Sequence, residues 1–214
     1  MLQQLILILD WFGLCVFAVT GCLVASRKEM DMVGFALLGS VTGIGGGTVR
    51  DVLLGVEPVF WVKQPAYLVT CVAVSSLIFF VAHIPQSRER LLLWFDAIGL
   101  SLFSVTGTVS ALSSGAGPVI SIAMGVATAT FGGIIRDILG GESPIILKHE
   151  IYITAALLGA TVFVVLGRLG VPVDPSAVLA FLAAFSLRAA ALHWNLSLPR
   201  YRSRDDRPPT SDPD

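Results

Sequence analysis

The sequence has little charge. Aspartate, glutamate, lysine and arginine make up only 14% of its 214 residues, whereas hydrophobic residues make up 55%. That charged fraction is about half the share found in soluble globular domains, and the mean hydropathy is +0.82. Such a chain cannot cover a water-facing surface with polar groups. The composition therefore predicts an integral membrane protein and leaves no room for a soluble enzyme domain.

The sequence also lacks the residue patterns of enzymes and metalloproteins. Its three cysteines lie in apolar segments, with neither the spacing of metal ligands nor that of a disulfide framework. No phosphate-binding loop, dinucleotide fingerprint or nucleophile with a nearby base can be identified. The three histidines are scattered along the chain and indicate no metal site. We therefore predict no enzymatic activity, no metal and no cofactor.

Long apolar runs are abundant by contrast. A helix needs about 20 apolar residues to cross a bilayer, and the short connections between the apolar runs hold most of the charge. We predict an all-α membrane protein with seven transmembrane helices, spans one to seven, preceded by no cleaved signal peptide. The spans are expected at residues 5–25, 32–54, 66–84, 92–112, 118–140, 150–167 and 174–194.

Basic residues are unevenly distributed between alternate connections. The side that holds only Lys63 and Arg168 includes the N-terminus. The opposite side holds nine: Arg27, Lys28, Arg88, Arg90, Lys148, Arg200, Arg202, Arg204 and Arg207. Because cytoplasmic connections carry an excess of lysine and arginine, we predict that the N-terminus is outside and the C-terminus cytoplasmic. The basic tail is interleaved with aspartates, so we expect it to contact membrane lipid and not nucleic acid.

The chain repeats itself at an offset of 86 residues. Besides many apolar residues, the recurring set is Asp10, Gly46, Gly47, Arg50 and Asp51, which return as Asp96, Gly132, Gly133, Arg136 and Asp137. Each copy contains three spans, an odd number, so the second copy must cross the membrane in the opposite direction. We divide the chain into a first repeat (1–84), a second, inverted repeat (85–170), a seventh transmembrane helix (171–195) and a disordered cytoplasmic tail (196–214).

Two glycine-rich segments lie inside apolar spans: Gly45-Gly46-Gly47 in span two and Gly132-Gly133 in span five. Glycine weakens a helix, and packing between membrane helices asks for small residues at every fourth position, not in a run. We therefore expect each segment to kink or break its helix. A break would free backbone groups for water or an ion.

An arginine–aspartate pair follows each glycine segment. Adjacent residues point about 100° apart on a helix, so we expect Arg50 and Asp51 to pair poorly and to need other partners. The predicted topology places Asp10 at the depth of Arg50, and Asp96 at the depth of Arg136. Two interpretations stay open. Either these side chains line the two mouths of one pathway, or the arginines extend to the headgroups while the aspartates cap half-helices.

Hydroxyl side chains are concentrated in the four spans that carry these charges. Hydroxyls in membrane helices mostly bond to their own backbone or to a neighbouring helix, so a structural role is open for each. As a group they could also line a pathway for a polar solute. They are Thr42, Thr128, Thr130, Ser101 and Ser104, with Thr20, Thr106 and Ser40.

Two of these segments resemble a known family. GGGTVRDVLLG at residues 45–55 and GGIIRDILGGESP at residues 132–144 match the prokaryotic branch of the trimeric intracellular cation (TRIC) channels almost word for word. Sequences of this type have also been classed as glycine transporters. The resemblance covers about residues 5–194 and leaves out the tail. It implies a multi-pass protein of the prokaryotic inner membrane.

The resemblance also implies a function and a set of functional residues. Family members are homotrimers in which each subunit has an hourglass pore for monovalent cations, potassium foremost and sodium also, and bound lipid is a further partner. Spans two and five would bend at their glycines and line this pore. Phe131 stands where the first repeat has Gly45, so it could narrow the pore. The candidate pathway residues are Arg50, Asp51, Arg136, Asp137, Gly45, Gly46, Gly47, Gly132, Gly133, Thr42, Thr128, Thr130, Phe131, Ser101, Ser104, Asp10 and Asp96.

A second function is compatible with the same residues. An arginine and an aspartate beside a broken helix would fit the carboxylate and the ammonium group of glycine or a similar zwitterion. The resemblance favours a cation channel, and a small-solute transporter stays the alternative. The lysine-based lipid-binding motif of the animal members is missing from this sequence, so no phosphoinositide dependence is expected.

Overall fold

The computed structural model describes residues 2–82, 87–147 and 151–197, and no β-strand occurs within them. One short 3-10 helix, Ile145–Leu147, follows α6. The α-helices are α1 (Leu2–Arg27), α2 (Met32–Leu54), α3 (Phe60–Lys63), α4 (Ala66–Val81), α5 (Arg88–Ser113), α6 (Pro118–Leu139), α7 (Ile153–Arg168) and α8 (Val173–Trp194). Apart from Leu196 and Ser197, the expected disordered tail lies outside the described residues.

One α-helix overlaps each of the seven expected spans, but these helices differ in length. Five of these helices, α1, α2, α5, α6 and α8, are long and apolar enough to cross a membrane. The other two, α4 and α7, have 16 residues each. At 1.5 Å per residue each is about 24 Å long, short of the roughly 30 Å hydrocarbon core. The sequence did not predict α3 and the 3-10 helix, which lie in the connections after the two arginine–aspartate pairs.

The glycine segments do not break their helices, and that part of the expectation is wrong. α2 and α6 continue through residues 43–48 and 129–134 as single α-helices. The glycines of the run face three different neighbours at close range: Ile135 of α6 beside Gly45, the Thr128 backbone beside Gly46, and the Phe60 ring beside Gly47. A run of glycines can therefore allow close packing of several neighbours on different sides of one helix. A bend of the axis without a break stays a prediction.

The crossing of α2 and α6 repeats the internal duplication of the sequence. A Cβ on Gly46 would collide with the Thr128 carbonyl oxygen, and a Cβ on Gly132 would lie 2.5 Å from the Thr42 carbonyl oxygen. The two contacts are equivalent in the duplication, because Gly46 and Gly132 are 86 residues apart, as are Thr42 and Thr128. The missing side chains allow the two helix backbones to touch, as small residues do in membrane helices.

α1 and α5 form a second crossing of the same kind. The Phe17 ring lies against Gly99, and the Phe103 ring lies against Gly13. The two rings meet edge to face with centroids 5.1 Å apart, a favoured aromatic geometry. Phe17 and Phe103 are buried in the main apolar core. α1, α2, α5 and α6 therefore pack together in the centre, while α4 and α7 flank them and α8 packs on α5 and α7.

Candidate functional site

Two clusters of polar side chains lie in this four-helix centre, and both contain the same residue types. The Arg136 site consists of Arg136, Asp137, Asp96, Tyr152 and Thr20. The Arg50 site consists of Arg50, Asp51, Asp10, Tyr67 and Thr106. α1 supplies Asp10 to the Arg50 site and Thr20 to the Arg136 site. α5 supplies Asp96 to the Arg136 site and Thr106 to the Arg50 site. Each site therefore combines residues of both halves of the chain.

Arg136 is the centre of a buried network of ion pairs and hydrogen bonds. Its Nε lies 2.9 Å from Asp137 Oδ1, and its Nη1 donates to Asp96 Oδ1 at 2.8 Å and to Thr20 Oγ1 at 2.9 Å. Arg136 and Asp96 are 0% exposed. Around Gly133 the Tyr152 hydroxyl, Arg136 Nη2 and Asp96 Oδ1 converge. Buried charges of this kind are tolerated only when they are paired and hydrogen-bonded.

Arg50 is held more loosely. Its Nε and Nη2 lie 2.8 Å and 2.7 Å from Asp51 Oδ1, and its guanidinium lies over the Phe60 ring, 5.7 Å from the centroid. Asp10 interacts electrostatically with Arg50 and lies beside the hydroxyls of Tyr67 and Thr106. Among the ion pairs of the described residues, Asp10 and Arg50 form none, unlike Asp96 and Arg136.

Each adjacent arginine and aspartate form an ion pair, so the expectation that they would pair poorly is wrong. The arginine side chain is long enough to curl back to a neighbour that starts about 100° away. The aspartate then uses its second oxygen at a distance: Asp51 Oδ2 accepts from the Phe60 N–H at 2.8 Å, and Asp137 Oδ2 accepts from the Ile145 N–H at 2.9 Å. Phe60 and Ile145 are the first residues of α3 and of the 3-10 helix. Each aspartate thus binds the first N–H of a short helix in the connection that follows, whereas the half-helices of the sequence-based interpretation do not form, because α2 and α6 are unbroken.

The arginines, by contrast, do not extend to the surface of the chain. Arg50 is 6% exposed and Arg136 is 0% exposed, whereas an arginine that reaches the headgroups keeps its charged group in water. The sequence predicts that Asp96 and Arg136 lie at the same depth in the membrane, and their direct contact supports this prediction. The same prediction for Asp10 and Arg50 is supported by their electrostatic interaction.

A cavity opens beside the Arg50 site. Its volume is about 530 Å³. It is lined by charged groups of both signs, Arg50, Asp51, Glu57 and Lys63, and by the hydroxyls of Ser110, Ser113 and Ser114. The two buried charges of this site therefore border a space that solutes can enter.

At the corresponding end of the Arg136 site, charged side chains of α1 meet the loop after α6. Arg27 Nη2 lies 2.7 Å from Glu142 Oε2, and Lys28 Nζ lies 3.9 Å from Glu142 Oε1. Beneath this ion pair the Val24 side chain packs directly on the backbone of Gly140. The loop after α6 is thereby attached to the end of α1.

The candidate hydroxyls bond mainly to their own helices. Thr42 donates to the Leu38 carbonyl at 2.5 Å, and Ser101 to the Ala97 carbonyl at 2.7 Å. Thr128, Thr130 and Ser104 likewise donate to carbonyls three or four residues earlier. All five are buried. Each of these hydroxyls therefore donates its hydrogen bond within its own helix, as the structural role expects. Its oxygen can still accept a hydrogen bond.

Phe131 lies away from the charged residues. It is 37% exposed and shares the exposed face of α6 with Ile138, seven residues later, whereas Arg136 and Asp137 are on the buried face. A narrowing of the pathway within one subunit by Phe131 is therefore not supported. No group of three possible metal ligands occurs among the residues that the structure describes.

Sequence reasoning missed three residues of these sites. Tyr67 and Tyr152 lie 85 residues apart, not 86, because the connection from Asp137 to Ile145 is one residue shorter than that from Asp51 to Phe60. A comparison that allowed one gap would have paired the tyrosines. Arg188 of α8 lies outside the duplication, so the comparison of the two halves does not point to it. Its guanidinium lies 5.2 Å from the centroid of the Tyr152 ring, and its Nη1 lies 3.3 Å from the Ile151 carbonyl oxygen.

Known proteins resemble this chain in sequence and in structure. The family model described as "Glycine transporter" matches residues 7–83 and 93–168. The UPF0126 inner membrane protein YadS of Escherichia coli is 40% identical over 195 residues, covering 90% of this chain and 94% of YadS. A UPF0126 membrane protein of Vibrio cholerae is 39% identical over 202 residues, covering 92% of this chain and 83% of that protein.

Solved structures resemble the fold closely. The TRIC trimeric intracellular cation channel orthologue from Rhodobacter sphaeroides is 65% identical, with a TM-score of 0.89 over 90% of this chain and 100% of that one. The crystal structure of a prokaryotic TRIC channel in 0.5 M KCl is 33% identical, with a TM-score of 0.84 over 92% of this chain and 100% of that one.

Proposed function

This chain belongs to the trimeric intracellular cation (TRIC) channel family, and from that premise we propose that it conducts monovalent cations, potassium foremost. The observation that carries the proposal is the pair of similar charged sites. Each brings together two carboxylates and one guanidinium from the helices at the centre of the chain. At the Arg50 site the two carboxylates outnumber the arginine, which favours cations over anions, whereas Arg188 beside Tyr152 balances the charge of the Arg136 site.

The pathway in this proposal runs from the Arg50 site to the Arg136 site between α1, α2, α5 and α6. The buried hydroxyls of α2, α5 and α6 would offer lone pairs to a passing ion. The glycines at residues 45–47 and 132–133 would allow α2 and α6 to bend apart. In the present conformation their backbones touch at Gly46 and Gly132, so conduction requires these helices to separate.

The protein is a multi-pass membrane protein, and its relative YadS is an inner membrane protein. We propose seven transmembrane helices, α4 and α7 included, with the N-terminus outside and the C-terminus cytoplasmic. We also propose that residues 1–84 and 85–170 are inverted repeats. Two observations support the repeats: the family model matches twice, at residues 7–83 and 93–168, and glycine contacts recur in matched pairs at both helix crossings. The Arg50 site would then face outward and the Arg136 site inward.

The assembly is proposed to be a homotrimer with one pathway in each subunit. The support is the similarity to solved TRIC channels, one of which is described as trimeric. The partners would be two further copies of the chain and membrane lipid. No catalytic step, no cofactor and no nucleic acid enters the proposal, and the transported ions are its substrates.

A transporter of glycine or a similar zwitterion is the second candidate, and two observations favour it. The matching family model is described as a glycine transporter. The cavity at the Arg50 site presents both an arginine and carboxylates, which could receive the carboxylate and the ammonium group of an amino acid.

Single-channel recording of the purified protein in a potassium gradient tests the proposal. Discrete openings that pass far more than about 10⁴ ions per second would exclude an alternating-access cycle, because such collective motions take microseconds to milliseconds or longer. The same membranes in symmetrical solutions without potassium or sodium serve as the control. Saturable glycine uptake without discrete openings would reject the channel in favour of the transporter.

A further inference from the structure

The cavity beside the Arg50 site is large enough for an organic molecule. Its volume of about 530 Å³ lies in the range of small-molecule sites, roughly 300–1,000 Å³. Its walls come from α1, α2, α3, α5 and α8 and from the connection after α2. A single potassium ion would fill only a small part of this space. The lining residues therefore indicate which larger solute the cavity fits.

The charged groups of the lining have both signs, and several of them have bonding capacity left. Asp51 Oδ1 engages Nε and Nη2 of Arg50, so Nη1 remains for a further acceptor. Glu57 and Lys63 are exposed at the rim, and neither belongs to an ion pair of the described residues. One carboxylate and two cationic donors thus border the same space. A zwitterion complements both charges, whereas a simple anion or cation would meet a like charge.

A large part of the wall is aliphatic. Ile6 of α1, Val109 of α5 and Val173 of α8 line the cavity together with Val56 and Pro58 of the connection after α2. Covering such a surface removes apolar area from water, which is favourable. Glycine has no side chain that can cover it, but a branched aliphatic side chain can.

Three hydroxyls complete the polar part of the lining. They belong to Ser110 and Ser113 of α5 and to Ser114, which follows this helix directly. Ser114 Oγ donates to the Ser110 carbonyl at 2.9 Å, and its oxygen still has lone pairs to accept a hydrogen bond. The three oxygens are therefore acceptors for an ammonium group in the cavity.

From this lining we infer that the cavity binds a free α-amino acid with a branched aliphatic side chain, such as leucine, and that the bound molecule obstructs ion flow at this end. Its carboxylate binds Arg50 Nη1 and the Lys63 ammonium group. Its own ammonium group binds Glu57 and the serine oxygens, and its side chain packs on the aliphatic wall. The obstruction rests on the proposed function, because Arg50 and Asp51 belong to the proposed pathway, whereas the binding does not. The amino acid is thereby a regulator of the protein and not its cargo.

Isothermal titration calorimetry of the full-length protein in lipid nanodiscs tests the ligand class without any variant. The ligands are leucine, glycine, isoamylamine, which is leucine without its carboxylate, and isocaproate, which is leucine without its ammonium group. Leucine should bind at least about tenfold more tightly than glycine, because its side chain is buried. It should bind at least about fivefold more tightly than either analogue, because each analogue leaves one charged partner unbound.

Two results of the calorimetry would overturn the inference. Equal affinities for leucine and glycine, or an analogue with one charge that binds as tightly as leucine, would contradict the ligand class. No saturable binding of leucine at concentrations up to about 10 mM would contradict the site itself.

Two variants locate the binding site. Val173→Thr keeps the shape of the side chain but makes one wall position polar, so it should weaken leucine binding by about threefold or more. Glu57→Gln removes the partner of the ammonium group and should weaken leucine binding by about threefold. Their matched controls are Val119→Thr, exposed on α6, and Glu29→Gln, exposed in the connection after α1. If both site variants bind leucine like the parent and its controls, leucine binds elsewhere and the inference is wrong.

Single-channel potassium currents test the obstruction. At about ten times its Kd leucine occupies about nine sites in ten, so the mean current should fall by about tenfold, and mannitol at the same concentration should leave it unchanged. An unchanged current with leucine would overturn the obstruction. Saturable uptake of leucine into liposomes would overturn its role as a regulator. A parent protein without any potassium current would reject the proposed function and the obstruction together but leave the calorimetry intact, so the two failures are distinguishable.

Discussion

At the scale of residues, the energetics of the two sites follow from burial. Removing one partner of a buried ion pair costs about 3–5 kcal/mol, because the remaining charge has no compensation. Arg136 and Asp96 are both 0% exposed and lie 2.8 Å apart. Asp10 is only partly buried and forms no direct ion pair with Arg50. The two aspartates should therefore differ in their contribution to stability although they occupy matching positions.

Asp96→Asn is expected to lower the free energy of unfolding by about 3–5 kcal/mol. Asp10→Asn, its matched control, should lower it by less, because Asp10 forms no direct ion pair with Arg50. Equilibrium unfolding in mixed detergent micelles measures both values. Equal losses for the two variants would show that the conformational difference between the sites does not exist in solution.

The sequence identifies the charged residues of both sites but not their partners. Arg50 and Asp51 pair although they are adjacent, because the reach of an arginine side chain is not visible in helical periodicity. The threonines are exchanged between halves, which depends on how α1 crosses α5. One missing residue in the second connection conceals the tyrosines from an ungapped comparison. Such partners depend on tertiary geometry.

At the scale of elements, the helices are predicted well because the bilayer restricts their length. Apolar runs of about 20 residues give the long helices nearly to their ends. α3 and the 3-10 helix escape prediction, since they form where Asp51 and Asp137 accept backbone N–H bonds nine and eight residues away. The glycine run predicts a break that does not form, because a sequence does not tell how many neighbours surround a segment.

The crossing of α2 and α6 should be sensitive to a single methyl group. In Gly46→Ala the new Cβ would collide with the Thr128 carbonyl oxygen, which belongs to a helix backbone and cannot move alone. Overpacking of this kind costs about 1–3 kcal/mol, and Gly132→Ala should behave similarly against Thr42. Thermal denaturation monitored by circular dichroism measures the loss.

Gly167→Ala is the matched control for this crossing. Gly167 lies in α7 with no atom within 4 Å of an added Cβ, so alanine should be neutral or slightly stabilising through its helix propensity, by up to about 1 kcal/mol. If Gly46→Ala were as stable as Gly167→Ala, the two backbones would not be in contact.

At the scale of the whole molecule, one chain leaves many apolar side chains exposed. Several of them lie on α2 and α6, among them Leu37, Val52, Val119 and Ile138. Lipid covers part of such a surface and further subunits can cover the rest. We expect a homotrimer in mild detergent, to be measured by light scattering with correction for bound detergent. A monomer or dimer at every concentration would contradict this expectation, which rests on family membership and not on a residue pattern.

Arg50 and Arg136 lie on one ion pathway in the proposed function. A unit charge about 4 Å from a passing ion is worth roughly 4 kcal/mol at an effective dielectric constant near 20, and about 1.4 kcal/mol corresponds to a factor of ten in rate. Arg136→Gln removes a positive charge and releases Asp96, so it should raise the potassium flux. Even if the aspartates partly neutralise the charge of the arginine, we expect the potassium flux to change by at least about tenfold.

Potassium flux through single channels of the parent, Arg136→Gln and Arg50→Gln is the most direct measurement of this claim. All three proteins are first shown to fold and assemble alike by size-exclusion chromatography. If both arginines lie on the pathway, both variants shift the potassium flux in the same direction by about tenfold or more. If both conduct like the parent, the arginines lie outside the pathway and the proposed site is wrong.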